Sequence, residues 1–253
     1  MLSFALQSGS NGNCFYVETS DARLFFDAGI SGKIAQQRLA QHQRDIHQVD
    51  ALIISHNHID HVSGAGVFHR RFNLPVYITP NAWQACRTVC GPIEDLRLIQ
   101  PGSILTFGAT VVRTIRTPHD GKDSLAFIIE DDHKKLGIFT DLGHRFDGLD
   151  AAIEKLDGLY LESNYDPEML DRGDYPLWLK KRIAGNHGHL SNQQAAQLVR
   201  DANDRLQFLV LSHLSQNNNL PDLALATARK FLPDTLNISL ASRTAAGQLN
   251  VLK

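Results

Sequence analysis

Short apolar runs separated by turn residues dominate the start of the chain and predict a β-rich beginning. The runs at Leu2–Gln7, Cys14–Glu18 and Arg23–Asp27 are rich in Phe, Val and Tyr, and each has the length of one strand. The polar stretch SGSNGN at Ser8–Asn13 predicts a tight loop between the first two strands. The continuous apolar run Ala51–Ser55 predicts a strand that is buried on both faces.

The rest of the chain mixes strand-like and helix-like patterns in both halves. Further strands are predicted at Val76–Thr79, Ile104–Phe107, Ala109–Arg116, Leu125–Glu130, Leu136–Thr140, Gly158–Glu162 and Phe208–Ser212, with two short strands at the end. Helices are predicted at Ser31–Gln43, Leu149–Leu156, Tyr175–Ala184, Ser191–Ala202 and Pro221–Phe231. Ser191 and Gln194 form the pattern of a capping box. These patterns predict an α/β (α+β) fold of layered sheets covered by helices. Because no repeat or linker interrupts them, residues 1–253 are expected to form one domain.

Composition narrows the class of protein. The chain has 253 residues, of which 43% are apolar and 21% charged, and this composition excludes an intrinsically disordered chain. A net charge of −2 excludes a general polycation, so nucleic-acid binding would require a local basic patch. Three cysteines exclude a disulfide scaffold. The chain also has no signal-peptide pattern and no apolar stretch of membrane-spanning length. Together with the three cysteines, these features predict a cytoplasmic protein without membrane contact.

The strongest chemical signal follows the predicted strand Ala51–Ser55. His56, His58, Asp60 and His61 place four potential metal ligands within one short segment. His56 and His58 project to the same side of an extended loop, whereas Asp60 and His61 diverge where a helix opens. Four ligands in this arrangement favour two neighbouring metal ions over one.

Three more candidate ligands repeat the same arrangement of an apolar strand followed by a polar side chain. His119 follows a strand in TPHD, Asp141 follows one in TDLG, and His213 follows one in LSHL. Each alone is typical of a capping or loop residue. Together with the first four, they indicate ligands that converge at one edge of the predicted sheets.

These motifs resemble those of the metallo-β-lactamase superfamily over nearly the whole chain. The resemblance implies a four-layer αββα sandwich with a dinuclear metal site, supported by Asp27 in FFDAG. It implies one ion on His56, His58 and His119 and another on Asp60, His61 and His213, with Asp141 as a bridging ligand. The ions would be divalent, with zinc favoured and manganese or iron also accepted.

Departures from other branches of the superfamily refine this resemblance. Asp141 stands where some lactamases carry cysteine, which favours the hydrolase and phosphodiesterase branches. His58 stands where diiron flavoproteins carry glutamate, which disfavours redox chemistry. The chain is too short for the insertion of RNA-degrading β-CASP proteins. The stretch between His119 and Asp141 is too short for the protruding arm of some tRNA-processing relatives.

Two further motifs resemble the proton-donating pair of tRNase Z enzymes. LESNYD supplies Glu162 and GHLSN supplies His189, so Glu162 would orient His189 as the group that protonates the leaving oxygen. These two motifs, taken together with SGSNGNCFYV, SHNHIDH and LSHLSQNNN, make the chain most similar to the YycJ/WalJ type. That type is associated with DNA exonuclease activity.

The implied reaction is phosphodiester hydrolysis by a metal-bridging hydroxide, with Asp60, His189 and Glu162 as the catalytic residues. A nucleic-acid substrate, DNA in the first place, would contact His69–Arg71 and Lys180–Arg182, whereas Trp83 and Trp178 are expected in the core. A glyoxalase II-like thioesterase is the alternative enzyme, and a metal-dependent binding module is the non-enzymatic one. The metal, the strand polarity, exonuclease or endonuclease action and the oligomeric state stay open.

Overall fold

A computed structural model describes residues 1–253. The chain forms fourteen strands and nine α-helices. The strands are β1 Leu2–Gln7, β2 Cys14–Glu18, β3 Arg23–Phe26, β4 Ala51–Ile53, β5 Val76–Ile78, β6 Leu96–Leu98, β7 Ile104–Phe107, β8 Thr110–Arg116, β9 Leu125–Asp131, β10 Lys134–Phe139, β11 Gly158–Glu162, β12 Phe208–Ser212, β13 Asn237–Leu240 and β14 Asn250–Val251. Five strands have the predicted bounds and the other predicted strands differ by one or two residues.

Nine helices cover the sheets, and four of them begin at a side-chain N-cap. They are α1 Gly32–Gln41, α2 Ile59–Val62, α3 Ala65–Phe72, α4 Pro80–Cys90, α5 Leu149–Ile153, α6 Pro167–Arg172, α7 Leu177–Ile183, α8 Asn192–Ala202 and α9 Pro221–Phe231. The hydroxyl of Ser31 caps α1, and the predicted capping box of Ser191 and Gln194 caps α8. No helix combines the length and the hydrophobicity that crossing a bilayer requires.

The strands form two seven-stranded sheets with the same internal plan. The first sheet has the order β14-β1-β2-β3-β4-β5-β6, and the second has the order β13-β12-β11-β10-β9-β8-β7. In each sheet three neighbouring pairs are antiparallel and the other three are parallel. Parallel strands end at the same edge, so each sheet presents several strand ends side by side.

Alternation along the strands divides the core into three apolar layers. In β2, Cys14 and Tyr16 belong to a cluster that packs the first sheet against α1, α3 and α4. Phe15 and Val17, which point to the opposite face, join the cluster between the two sheets. A third cluster packs the second sheet against α5, α8 and α9. Three apolar layers between four layers of structure confirm the predicted αββα sandwich.

Several elements differ from the sequence predictions. Helices α3 and α6 and strand β6 were not expected, although Pro167 at the first turn and the Asp166 side chain at the N-cap are start signals for α6. The prediction that Trp178 lies in the core is wrong, because its side chain is 67% exposed on α7. No residue of α7 is buried, so this helix lies on the surface of the sandwich.

Candidate functional site

The segment His56–His61 leaves β4 and immediately turns into α2. His58 occupies the N-cap of α2, and Asp60 and His61 lie in the single turn that follows. Two glycines allow this close packing: a Cβ on Gly64 would lie 2.2 Å from the carbonyl oxygen of Ile30, and one on Gly66 would lie 1.8 Å from that of Cys90. The ligand-bearing segment is therefore pressed against its neighbours.

Three imidazoles converge on one point. The Nε2 atom of His56 lies 3.0 Å from Nδ1 of His58, and Nε2 of His119 lies 3.3 Å from the same Nδ1 atom. His119 reaches this point because β8 runs in the same direction as β10 and ends at the same edge of the second sheet. The structure thus brings together the three residues expected to hold the first ion.

The second group forms next to the first. Asp60 Oδ2 lies 3.5 Å from Nε2 of His61 and 3.4 Å from Nε2 of His213. Asp141 stands between the two groups: its Oδ2 atom lies 3.2 Å from Nε2 of His61, and its Oδ1 atom lies 3.5 Å from Nε2 of His119. This is the position that a carboxylate bridging two ions requires.

Hydrogen bonds outside the cluster fix the imidazole rings. Asp27 accepts from His61 at 2.7 Å, and Ser55 Oγ donates to the same carboxylate at 2.9 Å. The backbone carbonyl of Gly188 lies 2.8 Å from Nδ1 of His119. Because a carbonyl oxygen only accepts, this contact puts the proton on Nδ1 and leaves Nε2 of His119 free to bind a metal.

Two observations fit these residues to a pair of cations. Asp141 Oδ2 and His213 Nδ1 are fully buried without any hydrogen-bond partner, which is costly for polar atoms unless something else binds the cluster. Burial alone would lower the pKa of His213, but the carboxylates of Asp141 and Asp60 outweigh burial and raise that pKa to about 10. The carboxylates therefore favour positive charge in the cluster, which divalent ions would supply.

His189 and Glu162 form the predicted pair at the side of this cluster. Glu162 is fully buried, and its Oε2 atom accepts from the backbone N–H groups of Leu142 and Leu190 at 3.0 and 3.2 Å. Its Oε1 atom accepts from Nδ1 of His189 at 2.5 Å. The carboxylate is thereby fixed on both oxygens, and it directs Nε2 of His189 away from itself.

Sequence reasoning missed Asp120. Its Oδ1 atom lies 3.4 Å from Nε2 of both His58 and His119, and its Oδ2 atom accepts from Nε of Arg182 at 2.7 Å. The position directly after His119 in TPHD was the available signal. Asp120 thus links the candidate ligands to a cation on α7, the exposed surface helix.

The two predicted basic patches differ in the structure. His69 accepts from the N–H of Glu94 and contacts the carbonyl of Leu74, and Arg70 donates to the carbonyls of Cys90 and Pro92. Both side chains are therefore used to hold loops of the first sheet. Lys180–Arg182 instead lie on α7, and Arg182 lines the cavity over the ligand cluster.

That cavity has a volume of about 360 Å³, and its wall is polar and apolar in about equal parts. Its lining includes the cluster members His58, Asp60, Asp141, His189 and His213, together with Ser10, Ile59, Asn164, Tyr175, Leu179, Arg182, Ile183 and Ser215. His144 and His187 are absent from the wall, since each binds a backbone carbonyl, of Asn186 and Pro118 respectively.

The loop Ser8–Asn13 is largely occupied with its own contacts. The N–H of Gly9 donates to Asn13 Oδ1, and that of Asn13 donates to the carbonyl of Asp60. The N–H of Ser8 donates to the carbonyl of Ser242. The loop therefore supports the candidate ligand segment and the neighbouring β13 end more than it offers free N–H groups to a phosphate.

Replacing Asp27 tests this outer support. In Asp27→Asn, the amide keeps an acceptor but loses the charge that orients and polarises His61. We expect metal affinity to fall by about 10–100-fold, the usual effect of losing an outer-shell partner. Titration with Zn²⁺ against a competing chelator measures the change, and Asp50→Asn on the surface serves as the control. An unchanged affinity would contradict a supporting role for Asp27.

Comparison with known proteins agrees with this geometry. The family profile described as a β-lactamase superfamily domain matches residues 22–214. The chain is 34% identical over 232 residues to exodeoxyribonuclease YycJ of Bacillus anthracis, covering 90% of this chain and 88% of that protein. It is 35% identical over 224 residues to exodeoxyribonuclease WalJ of Streptococcus pneumoniae, covering 87% and 83%. The metallo-β-lactamase fold protein YhfI of Bacillus subtilis superposes with a TM-score of 0.75 at 18% identity, covering 98% and 99%. The chain therefore belongs to the metallo-β-lactamase superfamily, in the group that contains YycJ and WalJ.

Proposed function

We propose that this chain is a metal-dependent phosphodiesterase that degrades DNA from a strand end. The observation that carries the proposal is the pair of His189 and Glu162, held beside Asp141 on the wall of the cavity. Its relatives YycJ and WalJ are exodeoxyribonucleases at about one-third identity over most of their length. A cytoplasmic location suits this substrate.

The seven candidate ligands would hold two divalent ions. These are His56, His58, Asp60, His61, His119, Asp141 and His213. The five imidazoles and two carboxylates of this ligand set suit zinc, and manganese or iron are the alternatives. When bound, the ions supply Lewis acidity to the phosphate oxygens and lower the pKa of water from about 15.7 toward 7.

The protein's own contribution is a positioned proton. The Nδ1–H of His189 donates to Glu162, so a proton on Nε2 is the one available to the cavity. As the bond between phosphorus and the leaving oxygen breaks, that proton passes from Nε2 to the oxygen, and the electron pair of the N–H bond stays on the imidazole. Glu162 stabilises the imidazolium form before the transfer.

The same pair separates phosphodiester from thioester hydrolysis. A thiolate leaves without protonation, so a glyoxalase II-like thioesterase has no need of a buried glutamate that holds a histidine in the cavity. A sugar alkoxide is a poor leaving group and does need a proton. The geometry of Glu162 and His189 therefore favours the phosphodiester.

A comparison of two substrates tests the proposal. The protein loaded with Zn²⁺ or Mn²⁺ is expected to hydrolyse both bis(p-nitrophenyl) phosphate and linear DNA, and chelation should abolish both activities. A thioester substrate such as S-lactoylglutathione should be turned over far more slowly. Efficient thioester hydrolysis without diester hydrolysis would overturn the proposal in favour of the thioesterase.

Lys181 on α7 tests contact with the polymer. Its side chain is exposed and forms no ion pair, so it is free to bind a phosphate of the strand. In Lys181→Gln, the slope of log affinity against log salt is expected to become shallower by about 0.7–0.9, the share of one phosphate contact. Lys230→Gln, at the far end of α9, is the matched control. Equal slopes for the wild type and Lys181→Gln would show that α7 does not contact the strand.

A further inference from the structure

A second cavity, of about 400 Å³, opens next to the candidate metal centre. Ser215 lines both cavities and lies two positions after the candidate ligand His213, so the second cavity directly adjoins the first. Its wall consists of Leu214, Ser215, Asn219, Pro221, Leu240, Ala241, Ser242, Arg243 and Thr244. Its volume lies in the range of about 300–1,000 Å³ that is typical of small-molecule sites.

The wall combines an apolar side with one unpaired cation. Leu214, Leu240 and Ala241 form the apolar side. Asn219 is fully used within the fold, because its amide donates to the carbonyls of Ser163 and Asn164 and its oxygen accepts from Asn192 and Leu220. The buried polar atom of the wall that lacks a partner is Nε of Arg243.

Arg243 is held in place without its charge being satisfied. Its Cγ atom packs against Gly9, where an added Cβ would lie only 2.5 Å away. Its backbone carbonyl accepts from Nδ2 of Asn11 at 2.9 Å. The residue as a whole is half-buried, but its Nε atom is buried with no hydrogen-bond partner, and its guanidinium forms no ion pair. A buried, unpaired guanidinium N–H is costly, so the geometry favours an anionic ligand at this position.

The first turn of α9 adds to the same preference. Pro221 begins the helix on the cavity wall, and the N-cap residue Leu220 provides no side-chain hydrogen bond to the first turn. The free N–H groups and positive end of an eleven-residue helix attract an anion. Asp222 in this turn is exposed and does not line the cavity.

We propose that this cavity binds the terminal nucleotide of the DNA strand, with its terminal phosphate on Arg243 and its sugar and base against the apolar side. Arginine suits this task because its planar fork binds two phosphate oxygens at once. The inference rests on the proposed nuclease function and extends it. A chain end anchored beside the metal centre sets the scissile phosphate at a fixed distance from that end, which produces exonuclease rather than endonuclease action.

Four oligonucleotides of one sequence test the subsite, with a phosphate or a hydroxyl at the 5′ end and at the 3′ end. With the metal-loaded enzyme, phosphate at one of the two ends is expected to raise kcat/KM at least about tenfold, mainly through KM. In Arg243→Gln, the ratio of kcat/KM with the terminal phosphate to kcat/KM without it should fall to about one, and Arg243→Lys should restore part of that ratio. Arg87→Gln, which removes an exposed arginine on α4, controls for net charge and should leave the ratio unchanged.

A binding measurement separates this inference from the proposed function. Deoxynucleoside 5′- and 3′-monophosphates are titrated calorimetrically into the wild type and into Arg243→Gln. One of the two monophosphates should bind the wild type at least about tenfold more tightly than it binds the variant. Equal melting temperatures would show that the variant is folded. If DNA is cleaved without any preference for a phosphorylated end, or if Arg243→Gln keeps the preference, the subsite is refuted while the nuclease function stands. If no DNA is cleaved, loss of monophosphate binding in Arg243→Gln still supports the subsite, and equal binding overturns it.

Discussion

The variant His189→Ala is expected to lose cleavage of natural DNA by roughly 10²–10⁴-fold while it keeps both metal ions. His189 is not one of the seven expected ligands, although it lies in a group with Asp141, Glu162 and His213 whose atoms are close enough to hold an ion. Its Nδ1 atom is engaged by Glu162, so the ion count of the variant decides between proton donor and ligand. The loss should depend on the leaving group. A sugar alkoxide needs the proton, whereas p-nitrophenolate leaves well without it. Activity on bis(p-nitrophenyl) phosphate should therefore fall far less than activity on DNA.

The variant Glu162→Gln tests the same proton donor with a smaller expected effect. Glutamine keeps an oxygen that accepts from His189 but lacks the charge that stabilises the imidazolium, so the bias between the two substrates should be the same in sign and smaller in size. Metal analysis by inductively coupled plasma mass spectrometry is the control for both variants. A parallel fall on both substrates with loss of metal would make His189 a ligand instead of a proton donor.

The variant Asp141→Ala is expected to hold one ion or none per chain. Asp141 contacts both candidate ligand groups: its Oδ2 atom lies near His61, and its Oδ1 atom lies near His119 and His213. One substitution therefore removes contacts from both groups. The loss of activity on both substrates should exceed the 10–100-fold range that is usual for outer-shell partners. Metal content measured together with both turnover rates checks this expectation.

Asp132 offers a control for the backbone at this position. Asp141 has a left-handed conformation with φ of 55°, and Asp132 has one with φ of 42° in the exposed turn between β9 and β10. Asp132→Ala therefore introduces a similar backbone penalty without removing a candidate ligand. If Asp141→Ala still binds two ions per chain, the bridging role is wrong.

The local sequence carried most of the information about the site. His56–His61 follow a buried strand, and His119, Asp141 and His213 follow others, so the sequence alone indicates that ligands gather at strand ends. The rule that parallel strands end at one edge then brings them together. Glu162 and His189 could be paired only through the resemblance to a known family, because no local pattern links a strand end to a loop in another part of the chain.

The failures of the sequence reasoning have a common physical cause. Arg70 and Trp178 were assigned from residue type, but the surroundings that decide their roles come from distant parts of the chain. Arg70 donates to carbonyls at the end of α4, and Trp178 lies on the outer, exposed face of α7. Asp120 and Arg243 were missed for the same reason: their importance lies in contacts, or in a missing contact, that the sequence does not encode locally.

The division of candidate ligands between the two sheets has a consequence for the stability of the whole protein. His56, His58, Asp60 and His61 come from the first sheet, whereas His119, Asp141 and His213 come from the second. Bound ions would therefore cross-link two sheets whose interface is otherwise mainly apolar, with a few hydrogen bonds such as that from Tyr160 to Ser3. When the free concentration of an ion that binds only the folded chain is a hundredfold above its dissociation constant, binding adds about 2.7 kcal/mol to the free energy of unfolding. Removal of the ions by a chelator is thus expected to weaken the packing between the two sheets before the rest of the fold, at the edge where the substrate would enter.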